Sequence, residues 1–207
     1  MEPNWAEENL HTIRTLMERS ALYRRALAPI LLFAGATGVL AAAAGLYFQL
    51  DAPEVFAVFW LGIAGVVVAV AFVMARRQAR KEQEPFWSPP TRRVGQALLP
   101  PLLAGLAVSV LLAELDASWA VDFPMALVWI LFYGCALHSA GFFMTRSIRW
   151  FGWLFIIGAV VLMAAVAATT CFVRDNAACL TMGFFFGVLH LAYGAYLYLT
   201  EKNNPVA

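Results

Sequence analysis

The chain has 207 residues, of which 62% are hydrophobic and only 13% charged, with a formal net charge of +1. Soluble domains run nearer half apolar and a quarter charged, and the excess here lies in long blocks, which is the composition of a polytopic membrane protein. A soluble enzyme, a disordered chain and a nucleic-acid-binding domain are thereby ruled out, the last because there is no basic face to match a phosphate backbone.

The first 25 residues predict a cytoplasmic amphipathic helix. Asn4 with Glu7 makes a start resembling a capping box, and Leu10, Ile13, Met17 and Ala21 then recur at helical spacing. Trp5 and Tyr23 suit headgroup level, so the helix reads either as lying on the inner leaflet or as docking a partner. The first apolar run begins only after this polar stretch and is long enough to span, so no cleavable signal peptide is predicted.

Six apolar stretches follow, at about 26–50, 55–75, 94–113, 124–144, 150–173 and 178–200, against the ~20 residues that a helix needs to cross a ~30 Å hydrocarbon core. The third contains Pro100 and Pro101, which remove two helical donors and clash with the preceding turn. The expectation is a kink there, or a short interfacial helix over Pro89–Leu99 followed by a shortened span. Ser88 before Pro89 is a helix-start signal, and Phe86 and Trp87 are interfacial anchors. The Arg and Lys residues of loop 76–93 read as an orientation signal or as contacts for anionic lipid headgroups.

With the N-terminus inside, Arg14, Arg19, Arg24, Arg25, Arg76, Arg77, Arg80, Lys81, Arg92, Arg93, Arg146, Arg149 and Lys202 all fall on the cytoplasmic side, and only Arg174 falls outside. This bias predicts both termini, including the tail 201–207, in the cytoplasm. Cys171 and Cys179 flank the last outer loop and are candidates for a disulfide on the oxidising side, or are small apolar residues at helix ends. Cys135 lies within a span and reads as packing.

No phosphate-binding glycine loop, HExxH or CxxC is present. No span carries an acidic or basic residue in its central part, which argues against a proton-coupled carrier and leaves open a channel or a carrier for an uncharged molecule. The polar residues of most interest are His138 and His190, at roughly 12 and 16 Å from the inner boundary by helical rise. Gly134, His138 and Gly141 are expected on one face of the fourth span, and Gly183, Gly187, His190 and Gly194 on one face of the sixth. Three readings stay open. Both imidazoles hold a b-type haem iron; or His138, His190, Tyr133 and Tyr193 line a quinone or lipid pocket; or the glycines let helices pack closely and each histidine is simply hydrogen-bonded across the interface.

The stretches Thr12–Arg19, Phe86–Arg93, Leu137–Phe143 and Tyr198–Lys202 resemble those of a family of small bacterial six-span integral membrane proteins of unassigned function. That resemblance implies a bacterial inner-membrane location and supplies no catalytic residues. The expectation is therefore an all-α, six-span protein without a cofactor. It reads as a non-enzymatic accessory or interaction subunit, partnered by membrane lipids and by further copies or other membrane subunits.

Overall fold

A computed structural model describes residues 27–50, 52–81, 83, 86–114, 122–169 and 176–203. The amphipathic helix expected over residues 1–25, the final residues 204–207 and Cys171 lie outside them. Every described element is helical, and six helices are long and apolar enough to cross a membrane. They are α1 (Leu27–Tyr47), α2 (Pro53–Lys81), α3 (Pro89–Glu114), α4 (Asp122–Ala140), α5 (Arg146–Thr169) and a composite α6. The last runs without a break through Ala177–Met182, a π-helical turn Gly183–Val188, and Leu189–Asn203.

Local chemistry sets several of these boundaries. At the end of α1, Gln49 takes φ of 49° and the Leu50 N–H donates to the Gly45 carbonyl at 3.1 Å, the 6→1 bond that closes a helix C-terminus. Ser88 precedes Pro89 at the start of α3, and its hydroxyl lies 3.0 Å from that of Thr91. Proline suits this first helical position because its missing N–H would have had no helical acceptor.

Pro89–Leu99 is not a separate interfacial helix. It forms the first turns of α3, which continues through Pro100 and Pro101. The two prolines remove only the bonds to the carbonyls of Gln96 and Ala97, whereas breaking the helix inside hydrocarbon would orphan several more backbone groups. The basic residues Arg76, Arg77, Arg80 and Lys81 likewise belong to α2 and not to a loop. The fourth span is shorter than expected and ends at Ala140. There the Gly141 N–H donates to the Leu137 carbonyl at 2.9 Å, and a tight turn leads into α5.

Glycine governs how the helices meet. Any Cβ on Gly134 would lie 2.9 Å from the Gly152 carbonyl oxygen, and one on Gly152 would lie 2.6 Å from the backbone nitrogen of His138, so α4 and α5 touch backbone to backbone. Helices α1 and α6 do the same along their length. Gly45 meets Cys179, Ala42 meets Gly183, Gly38 meets Phe186 and Gly187, and Gly35 meets Leu191, while Leu31 and Leu32 flank Gly194. Rising numbers on one helix meet falling numbers on the other, so the pair is antiparallel. Lipid tails are as apolar as leucine, so helices in a bilayer associate through close van der Waals packing, which small residues permit.

Helix α4 is the hub, packing along α5 and α3 and touching α6 and α2. Burial follows that arrangement: 44% of the α4 and α6 span residues are buried but only 11% of those in α2 and α3. Helix α3 is pinned to α4 where Gly105 faces Phe132, and where the Trp129 indole N–H donates to the Ser109 hydroxyl, which donates in turn to the Gly105 carbonyl at 2.8 Å. Helix α2 is held mainly at its N-terminal end, where buried Phe56 stacks on Trp129 at 5.9 Å.

Candidate functional site

The buried centre of the bundle is a cluster of aromatic rings around His190, contributed by α4, α5 and α6. Phe151, Phe155, Phe186 and Tyr133 all lie with ring centroids within about 6 Å of the imidazole. His190 is only 2% exposed. Its Nδ1 lies 3.0 Å from the Phe185 carbonyl oxygen, and its Nε2 lies 2.8 Å from the Tyr133 hydroxyl. A carbonyl can only accept, so Nδ1 carries the proton. The neutral ring then receives the Tyr133 O–H on Nε2. Both nitrogens are satisfied, as a buried imidazole requires.

The π turn is what puts His190 there. In this turn the Leu189 N–H donates to the Phe184 carbonyl, five residues back, and the His190 side chain takes the next carbonyl along, that of Phe185. A π turn holds an extra residue relative to an α turn. Gly183 and Gly187 can thus both stay against α1 while the following residues rotate, which carries His190 toward α4 and α5. The expectation that Gly183, Gly187, His190 and Gly194 share one face therefore fails at the histidine. The three glycines face α1, whereas His190 faces Tyr133 and the α5 phenylalanines.

His138 belongs to a different cluster. Its ring packs edge-on against Phe142 and Trp153, each at 5.3 Å, and the Arg149 guanidinium sits 5.0 Å over the Phe142 ring. Trp153 is two residues from both Phe151 and Phe155, which is about 200° around the helix, so α5 presents opposite sides to the two histidines. The structure thus does not bring His138 and His190 to a common ligand. Among the described residues, the His138 Nδ1 and the Arg149 Nε are buried without hydrogen-bond partners.

Tyr193 lies one turn beyond His190, stacked on Phe151 at 4.4 Å, and its hydroxyl donates to Ser147 Oγ at 2.9 Å. Ser147 is in turn 3.0 Å from Thr145 Oγ1. Tyr133 and Tyr193 thus hydrogen-bond to different partners. Sequence reasoning missed both Ser109 and Ser147: Ser109 is a lone hydroxyl within an apolar run, a signal for a cross-helix bond, whereas Ser147 lies between Arg146 and Arg149 and carries no such signal. Cys179 is buried against α1, and its proposed partner Cys171 lies outside the described residues. Among those residues no group of three His, Cys, Asp or Glu converges as metal ligands do.

A separate concavity lies on α2. Phe72, Val73, Arg76, Arg77 and Arg80 line an open cleft of about 190 Å³ near the basic end of α2. Six helices long and apolar enough to cross the bilayer define a multi-pass membrane protein. No family model, curated protein or solved structure matches the chain.

Proposed function

We propose that this chain is a non-enzymatic interaction subunit of the bacterial inner membrane, with both termini in the cytoplasm, and that α3 docks a second transmembrane helix. The observation that carries this reading is the outward face of α3. Leu99, Leu103, Leu106 and Val110 are all exposed, and their spacing of four, three and four residues is the heptad pattern of a helix-pairing seam. An adjoining side of α3 is already committed to α4 through Gly105 and Ser109. The aromatic centre supports the same reading, because Tyr133 and His190 satisfy each other within close-packed helices. The lopsided distribution of Lys and Arg supports the orientation.

The test is cysteine cross-linking in native membranes, with the native cysteines replaced by alanine. Leu103→Cys is expected to give an oxidative product with a second copy or another membrane subunit, whereas Val68→Cys on the exposed face of α2 gives none. Equal products at both positions, or none at Leu103, contradict the reading.

A second reading, in which a quinone or lipid carbonyl binds at Tyr133 and His190, is favoured by the π turn beside the histidine, since such turns recur at functional sites. On that reading the Tyr133–His190 bond is held for exchange with a ligand and contributes little to stability.

A further inference from the structure

The structure points to a binding site for an anionic phospholipid on α2, and we propose that its phosphate is held by Arg76, Arg77 and Arg80. Phe72, Val73, Arg76, Arg77 and Arg80 are spaced so that they fall on one face of the helix, and all five line the same open cleft. Among the described residues, no carboxylate pairs with any of these three guanidinium groups, whose planar donor forks match phosphate oxygens. The cleft, of about 190 Å³, is open to its surroundings, so a headgroup phosphate can reach the three guanidinium groups. An orientation signal needs only a count of charges. It does not require them to be gathered on one face around a cleft with an apolar wall.

The face continues into the bilayer as a place for an acyl chain. Gly62, Gly65, Ala69 and Val73 follow Arg76 and Arg80 along the same side of α2, and all are exposed. Among the described residues, a Cβ placed on Gly62 or Gly65 would meet nothing within 4 Å, so the two glycines leave a shallow recess on the helix. Half of a ~30 Å hydrocarbon core corresponds to about ten residues of helical rise. A chain starting at the level of Val73 therefore ends beside Gly62 and Gly65. Charge selects the head and the recess takes the tail. The occupant is thus a lipid with a negatively charged phosphate headgroup, in the leaflet that faces the basic end of α2. This site is separate from the α3 seam, and neither proposal depends on the other.

The experiment is native mass spectrometry of the full chain, purified in mild detergent and delipidated, with phosphatidylglycerol, phosphatidylcholine or inorganic phosphate added separately. Phosphatidylglycerol is expected to be retained on the order of tenfold more strongly than phosphatidylcholine, because each basic residue near an anionic headgroup contributes appreciably. The triple variant Arg76→Gln, Arg77→Gln, Arg80→Gln is expected to lose that preference, whereas Arg92→Gln with Arg93→Gln, outside the cleft, keeps it. Gly62→Leu with Gly65→Leu is expected to weaken phosphatidylglycerol retention several-fold at an unchanged melting temperature. Equal retention of the two lipids by the unaltered chain overturns the proposal, as does an equal loss in the two arginine variants. Strong retention of inorganic phosphate, with no effect of the glycine substitutions, replaces the lipid site by a simple anion site and also overturns it.

Discussion

Gly38→Leu is expected to destabilise the folded protein by at least about 3 kcal/mol, the upper end of the usual cost of overpacking. Any Cβ at this position would lie 2.5 Å from the Phe186 carbonyl oxygen and 2.9 Å from the Gly187 nitrogen, so the obstacle is backbone and no rotamer change relieves it. Helix α1 would have to move away from α6 as a whole. That would also open the contacts at Gly35, Ala42 and Gly45, because the register is shared along both helices. The matching control is Gly65→Leu on α2, where the added side chain meets open space and the change should stay within about 0.5 kcal/mol. Reversible unfolding in mixed micelles with increasing denaturing detergent checks both. Similar losses at Gly38 and Gly65 would show that α1 and α6 are not packed through their glycines.

The second large effect is expected at the Tyr133–His190 pair. Tyr133→Phe leaves the His190 Nε2 buried without a donor, a penalty of ~1–3 kcal/mol in a protein interior. Measured hydrogen bonds between membrane helices average only ~0.6 kcal/mol and reach ~1.7, because the unfolded chain in the bilayer also finds partners. An effect of about 1–2 kcal/mol follows. His190→Leu should cost more, at about 3 kcal/mol, since it also frees the Phe185 carbonyl and reshapes the packing of four aromatic rings. In the double variant the two losses should fall short of their sum by about 1 kcal/mol, the coupling expected of residues in direct contact. Unfolding of the two single variants and the double variant gives that coupling. Additive losses, with Tyr133→Phe silent, would instead favour a ligand at this pair.

These two expectations rest on features that were unequally legible in the sequence. The all-helical, six-span architecture follows from the apolar blocks themselves, because only a helix or a closed barrel satisfies its own backbone in hydrocarbon. The close packing of Gly134, Gly183, Gly187 and Gly194 is one of the readings that their spacing allows, and it is the arrangement found. The surroundings of His190 do not. A uniform helical period puts it with the glycines, and nothing in Gly183–Val188 announces that the turn widens. The π turn satisfies two requirements at once: small residues toward α1, and an imidazole toward Tyr133. Both are tertiary demands. Pro100 and Pro101 were misleading for the opposite reason. Their local penalty is real, but a break within the bilayer orphans more backbone groups than the prolines do.

Tyr133 and Tyr193 were legible as polar groups inside apolar spans, whereas their partners were not. Tyr193 meets Ser147 across α5 and α6, and Trp129 meets Ser109 across α3 and α4. Each pairing depends on how two helices rotate against each other, which a single chain's periodicity leaves open. His138 shows the same limit. Its depth in the span resembles that of His190, yet Trp153 and Phe142 enclose it on the other side of α5.

Everything from the orientation of α2's basic end to the exposed seam of α3 depends on how the chain threads the membrane. The most direct test is cysteine labelling in intact cells, with single cysteines in place of Ala52, Gln83 and Lys202 in a background whose native cysteines are alanine. Six crossings with a cytoplasmic N-terminus predict that an impermeant maleimide reaches Ala52→Cys from outside, but reaches Gln83→Cys and Lys202→Cys only after the membrane is opened. Labelling of Ala52→Cys and Gln83→Cys from the same side would contradict it.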